Sequence, residues 1–421
     1  MPWPFSLRKR TFALTGVMME SSILAEGGMQ SMPFDLTSLE EIGPIIRAFR
    51  QDMAKHPEVG PNVPRTSEKL VEQLQKTSLR VRARAGFPEQ SAMGVVADLV
   101  SMSAKGTVAL VADMSAQNVR PGEPAGLSSA QRSSHVAGND AHSAILLGAA
   151  LLLHRADVPK NIRFVWQSGG ELLSDGAQSM IRDEVLDGVE EVYAVHLWPG
   201  LELGKVGLLA GPVMASLDRF HLKLRGSNAP CPWPHRRRDA IQIGAAFVEE
   251  LRRLQRAPSP GEPPCSLCMV THFVAGPERE AASPDEVLLE GELRAFSEEE
   301  RRASAQQIEQ LAQRCAQAVG GEAKLRIRNR GNVTFNDPGC VDRARSRLRM
   351  VLGDISVAPV SRSAFSTGLS GYFETRPGIL VALGSGGDAD EPANLLLSPQ
   401  FQFDEGCLDI GVQVLATLAM G

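Results

Sequence analysis

Hydrophobic and polar positions along this chain follow two rhythms. From Thr37, Ile42, Ile45, Ile46 and Phe49 recur every three or four residues. Leu70, Val71 and Leu74 do so again after a Pro-rich break at 57–64, so both stretches predict amphipathic helices. Runs at 107–112 (TVALVA), 162–166 (IRFVW) and 192–197 (VYAVHL) are apolar at nearly every position, as strands covered on both faces are. Helical patterns at 141–155 and 176–184 lie between them. Strands alternating with helices imply an α/β layer built on a mostly parallel sheet.

The rhythm changes near residue 216. Phe220, Leu222 and Leu224 alternate with Arg219, His221 and Lys223, which predicts a strand with one wet face. A helix at 239–254 carries Ile241, Ala245, Val248 and Leu251 on one stripe. Strands are expected at 266–274 and 286–296. Ser297 and Glu300 form a capping box that opens a helix through 318, and KLRIR at 324–328 is a last strand. The order βαββαβ is that of a ferredoxin-like unit. A helix at 341–352, a strand at 378–383 and a helix at 404–420 then resume the first pattern. The expected organisation is an α/β domain of residues 33–215 and 332–421, with a lid or dimerisation module, 216–331, inserted in it. Residues 1–32 form an arm, disordered or processed. Its Arg8-Lys9-Arg10 and the short apolar stretch to Met19 only partly mimic a signal peptide.

Composition narrows the function. At 421 residues, two or three domains are expected. A formal charge of −5 argues against a nucleic-acid partner. The longest apolar run, 144–153, is too short to span a bilayer, so no membrane segment is expected. Six cysteines are too sparse for a disulfide scaffold and predict reduced thiols in a cytoplasmic protein.

Ligands of open α/β sheets sit beyond the carboxyl ends of the strands. Polar residues gather there: Asp113 after the first buried run, His135, Asn139 and Asp140 before the helix at 141, Glu171 after the second run, and His196 in the third. For Asn139 and Asp140 the plain alternative is helix capping. His142 and His154 lie on an apolar helix and are read as packing or capping residues.

Several motifs carry a family resemblance. They include Val111-Ala112-Asp113-Met114, Gly138-Asn139-Asp140-Ala141-His142-Ser143-Ala144, His196-Leu197-Trp198-Pro199, Gly211-Pro212-Val213-Met214-Ala215, Asn336-Asp337-Pro338 and Ser398-Pro399-x-Phe401. From about residue 56 to its end the chain resembles the aminoacylase, hippurate hydrolase and indole-acetyl-amino-acid hydrolase family, in the clan of carboxypeptidase G and carnosinase. The resemblance implies an α/β domain with an inserted βαββαβ lid, often used to dimerise. It also implies two divalent ions that activate a water, a Glu general base and a lid His at the oxyanion.

Against that pattern the chain departs at the positions that do chemistry. The family's H-x-C-G-H-D is His135-Val136-Ala137-Gly138-Asn139-Asp140, so Ala137 and Asn139 replace a thiolate and an imidazole ligand. Gly170 stands at the general base, beside a retained Glu171. Pro230 replaces the oxyanion His in a motif that ends at His235. Ala281 replaces an Asn, Thr367-Gly368 an acidic pair, and Leu397 the last His ligand. Asp140, Glu171 and His196 remain as residual ligands, enough for one weakly held ion at most. Without ions, the carboxyls of Asp113, Asp140 and Glu171 must hold a proton or be offset by a neighbouring cation.

The expected function is binding of an acyl-amino-acid or peptide-like ligand by a fold that has lost its two-metal hydrolytic site, without a cofactor. The alternatives are metal-independent amide chemistry in the same pocket and weak single-metal N-acyl-amino-acid hydrolysis. The candidate acid/base residues are His196, Glu171, Asp140, Asp113 and His135. Arg294, His235, Asn139 and Asn336 are candidates for ligand contact, and a homodimer through the lid is expected.

Overall fold

The computed structural model describes residues 37–86, 92–119, 133–169, 175–227, 238–255, 266–276, 284–353, 356–387, 395–398 and 400–421. The expected arm at 1–32 lies outside them. Helices α1 (Ser38–Lys55) and α2 (Pro64–Leu74) lead into strands β1 (Arg80–Ala85), β2 (Gly94–Leu99) and β3 (Thr107–Asp113). The short β4 (Gln117–Asn118) and β5 (Ser133–Ser134) pair with each other before α3 (Asn139–Leu153). Then come β6 (Asn161–Gln167), α4 (Asp175–Arg182), β7 (Val189–Trp198), β8 (Val206–Gly207) and β9 (Gly211–Met214).

The expected buried runs are β3, β6 and β7, side by side and parallel. Strand β1 was not expected, because its alternate arginines (Arg80, Arg82, Arg84) hide an edge strand from a hydrophobic count. All fifteen residues of α3 are buried, which is why it reads as apolar all round. Asn139 and Asp140 do not cap it. The N-cap is Gly138, at φ 82° in the left-handed region that glycine enters without strain, and both polar residues lie inside the first turn.

The second pattern folds as the sequence order implies. It comprises β10 (Leu217–Arg225), α5 (Ala240–Leu254), β11 (Leu267–Ala275), β12 (Glu286–Arg294), α6 (Glu298–Ala318) and β13 (Glu322–Gly331). The four strands form one antiparallel sheet, in the order β11-β12-β10-β13. Phe220, Leu222 and Leu224 point at the two helices, and Ser297 Oγ accepts from the Glu300 N–H at the start of α6. The expected stripe of α5 is corrected. Its buried face is Ala240, Ile243, Gly244, Phe247 and Leu251, while Ile241, Ala245 and Val248 are exposed.

The chain returns through β14 (Thr334–Asn336), α7 (Pro338–Leu352), β15 (Val357–Ala358), α8 (Ser370–Thr375), β16 (Gly378–Gly384) and α9 (Gly406–Ala419). The large sheet is then β1-β2-β6-β3-β7-β16-β8-β15, parallel through its centre and antiparallel where β1, β2 and β8 join. Arg301, on α6, grips the buried Asp218 with two hydrogen bonds of 2.6 Å. This anchors the four-stranded sheet close to where the chain enters it. No helix among the described residues is long and apolar enough to cross a membrane.

Candidate functional site

Three strands and one helix start deliver the candidate residues to one place. Asp113 ends β3, Gln167 ends β6, His196 lies near the end of β7, and Asn139 and Asp140 open α3. Each of these side chains is almost fully buried.

Asp113 is held by neutral donors. Its Oδ1 accepts from the Ser115 N–H at 2.8 Å, its Oδ2 from Gln167 Nε2 at 2.6 Å, and its carbonyl from Ser143 Oγ at 2.9 Å. Asn139 Nδ2 donates to the Ser115 carbonyl at 2.9 Å, which ties the helix start to the same turn.

Asp140 has a cationic partner that the sequence did not announce. Arg50, from the buried face of α1, donates through Nε to Asp140 Oδ2 at 2.8 Å and through Nη1 to Glu405 Oε1 at 2.9 Å. Its guanidinium carbon stands 4.8 Å over the Phe403 ring. The neighbouring cation expected on electrostatic grounds is therefore Arg50, for Asp140 at least. A signal was present: Arg50 follows Ile46 by one helical turn, on a stripe that is otherwise apolar.

His142, expected to pack or cap, is a hydrogen-bonded member of the site. Its Nε2 accepts from the Leu197 N–H at 3.0 Å, and its ring lies 4.4 Å from that of His196. Burial pushes the His142 pKa well below the ordinary imidazole value, helped by the neighbouring His196 and His135. His196 Nδ1 lies 2.9 Å from the Leu197 carbonyl, and its ring meets Phe365 at 5.5 Å. Burial also lowers the pKa of His135, against the pull of Asp140. Among the described residues neither His135 nitrogen has a hydrogen-bond partner in good geometry, although the Met53 carbonyl is near enough to act on the ring.

Other buried polar atoms also lack partners among the described residues: Gln117 Nε2 and Oε1, Asn139 Oδ1, Asp140 Oδ1 and Gln167 Oε1. Such atoms are costly unless a ligand or water meets them.

The remaining candidates separate. Arg294 Nη1 donates to the Ala364 carbonyl at 2.8 Å, one residue from Phe365, and its Nη2 to Glu292 at 2.8 Å. It reaches the margin of the site with its charge already paired. Asn336, expected at a ligand, is instead spent on backbone. Its Nδ2 donates to the Leu209 and Leu380 carbonyls and its Oδ1 accepts from the Leu380 N–H, which clamps β14 to β16. Glu171, Gly170, Pro230, His235 and Ala281 lie outside the described residues. Among the described residues, no three His, Cys, Asp or Glu side chains are grouped as metal ligands. Leu397, in the last ligand position of the resemblance, has φ 65°, and its N–H donates to the Val136 carbonyl at 2.8 Å. The chain end of the motif is thus kept beside His135 although its side chain cannot coordinate.

Comparison with known proteins agrees with the motifs. The family described as Peptidase family M20/M25/M40 matches residues 109–421. An N-acyl-L-amino acid amidohydrolase of Geobacillus stearothermophilus is 33% identical over 293 residues, covering 69% of this chain and 77% of the relative. An N-acetylcysteine deacetylase of Bacillus subtilis is 27% identical, covering 88% of this chain and 95% of the relative. Among solved structures, the YXEP protein of Bacillus subtilis, titled a dinuclear metal binding peptidase from the M20 family, aligns with TM-score 0.74 at 25% identity. That alignment covers 90% of this chain and 98% of that one.

Proposed function

This chain belongs to peptidase family M20/M25/M40, and on that premise we propose that it has given up the two-ion hydrolytic centre and keeps the pocket to bind an acylated amino acid or peptide-like acid. The observation that carries this reading is the Arg50–Asp140 pair. A carboxylate at the strand tips that is to ligate a divalent ion must offer its lone pairs to that ion. Here Oδ2 is engaged by a guanidinium that also holds Glu405, which leaves Oδ1 alone to offer and rules out bidentate or bridging ligation without breaking the pair.

The donor set does not fit two divalent ions. A pair held about 3.5–4 Å apart needs several anionic or imidazole donors around it. Ala137 brings a methyl group and Leu397 an alkyl chain. Asn139 brings an amide, a poor ligand for zinc, whose nitrogen is already committed to Ser115.

Binding is supported by the unpartnered atoms. Gln117 offers a donor and an acceptor, while Asn139, Asp140 and Gln167 offer acceptors, all from buried side chains. A ligand with amide N–H donors and a single carbonyl acceptor suits such a set. The relatives' printed names, an acyl-amino-acid amidohydrolase and an acetylcysteine deacetylase, point to the same class of molecule.

The expected homodimer is supported by the exposed apolar side of α5 (Ile241, Ala245, Val248) together with Phe273 on the edge strand β11, whose ring abuts Gly244 of that helix. A cytoplasmic setting is supported by four free cysteines among the described residues, with burial raising the thiol pKa values of Cys268, Cys340 and Cys407 to about 12.

The test is turnover of N-acetyl- and N-benzoyl-amino acids by the purified chain, with added zinc or manganese and with a chelator. No metal-dependent turnover is expected, together with a ligand-induced rise in melting temperature. Turnover that appears with metal and vanishes with chelator would overturn the reading.

A further inference from the structure

The open face of the four-stranded sheet carries a charge pattern that the pocket does not use. Strands β10 and β13 run antiparallel, with Arg219 opposite Arg328, His221 opposite Arg326 and Lys223 opposite Lys324. Directly opposed side chains in such a pair have Cβ atoms about 4.5–5.5 Å apart, and like charges there are destabilising. Three consecutive same-face rows of this ladder, two of them doubly cationic and the third pairing His221 with Arg326, therefore oppose the folding of the sheet.

The two strands differ in how they are compensated. On its other side β10 faces β12, where Glu292, Glu290 and Glu286 stand opposite Arg219, His221 and Arg225. Ion pairs form accordingly: Arg219–Glu292 at 3.7 Å, His221–Glu290 at 3.2 Å, Arg225–Glu286 at 3.2 Å, and Lys223–Glu286. Strand β13 has no such neighbour among the described residues. It is the outer strand of the sheet, and its exposed Lys324, Arg326 and Arg328 have no ion-pair partner among the described residues. A groove of about 440 Å³ runs over these strands, lined by His221, Lys223, Arg225, Lys324 and Arg326 with Glu290 and Glu322. The face holds seven Lys and Arg, Arg294 among them, against four Glu on β10, β12 and β13, a positive surplus on a chain whose formal charge is −5.

We propose that β13 is a docking edge for an extended acidic segment of a partner protein, with carboxylates at alternate positions, which extends the sheet beside Lys324, Arg326 and Arg328. Strand addition at a free edge draws affinity from main-chain hydrogen bonds and specificity from alternate side chains. Residues i and i+2 of an extended chain are about 6.8 Å apart, the same repeat as the cations on β13. The sheet contains its own precedent, since β12 presents Glu290 and Glu292 to β10 in this manner. A single-stranded nucleic acid suits the face less well. Binding of that kind stacks bases on aromatic side chains, and the open face of β10 and β13 carries no Phe, Tyr or Trp and a single imidazole, His221.

The experiment uses the full chain and a fluorescent peptide of alternating Glu and Thr, followed by anisotropy at low salt. The comparison probes are the same residues in two blocks, an alternating Lys/Thr peptide and an oligothymidylate. The alternating Glu peptide is expected to bind more tightly than all three. The double variant Lys324→Glu with Arg326→Glu is expected to lose at least about tenfold in affinity for it, the direction expected when charge complementarity is reversed. The same variant places Glu opposite Lys223 and His221, so its melting temperature is expected to rise and a folding defect cannot mimic the loss. Equal binding of the block isomer, unchanged binding by the variant, or tighter binding of the oligothymidylate would each overturn the proposal.

Discussion

Arg50 is the residue on which the site turns. Its guanidinium and the Asp140 carboxylate are both nearly excluded from solvent, so neither has water to fall back on. Removing one partner of a buried pair costs about 3–5 kcal/mol, because the other is left charged and dry. Arg50→Met is expected to lose stability of that order in urea unfolding, and Arg50→Met with Asp140→Asn to recover part of it. Equal losses in the two variants would show that the pair does not hold the helix start. The buried imidazoles add a pH dependence. His135 and His142 have pKa values below the ordinary value, so the folded chain resists protonation that the unfolded chain accepts. Their contribution is present above the unfolded pKa of about 6.5 and is lost as pH falls below it. Melting temperature is expected to drop between pH 7 and pH 5, and less steeply in His142→Gln, whose amide oxygen can still accept from Leu197. Asp113 and His196 could be singled out in the sequence because strand ends mark where ligands sit, and Asp140 because it opens the helix that follows the first of them. Arg50 was not, since a charge on a helix stripe is ordinarily a solvated one.

At the scale of elements, strands were easier to read than helix faces. Alternation over β10 fixed which side of that strand is buried, because a period of two leaves only two choices. Helix α5 has apolar residues on two sides, and the period of 3.6 allowed either stripe to be the core face. Packing chose Ile243, Phe247 and Leu251 and left Ile241 and Val248 outside. Phe247→Ala is expected to cost about 3–5 kcal/mol, a large side chain lost from a closed core. Val248→Ala is expected to stay within about 0.5 kcal/mol. Val248→Glu is expected to convert a dimer to a monomer in sedimentation velocity without unfolding it. A dimer that persists would place the interface elsewhere. Strand β1 escaped notice for the opposite reason, since half its side chains are arginines at a solvated sheet edge.

For the whole molecule, the two hydrophobic rhythms were enough to separate a largely parallel sheet from an antiparallel one. The motifs were enough to name the family. What composition and spacing could not give is the company each polar residue keeps. Asn336 looked like a ligand contact and is a backbone clamp. His142 looked like packing and is hydrogen-bonded beside His196. The same scaffold brings a positively charged sheet edge and a set of buried polar atoms without hydrogen-bond partners among the described residues into one chain.

The most direct measurement is metal stoichiometry. The purified chain would be equilibrated with excess zinc or manganese, freed of unbound ion by gel filtration, and quantified by plasma mass spectrometry. The account predicts less than one tightly held ion per chain and no second site. Two ions per chain, retained through the column, would contradict it.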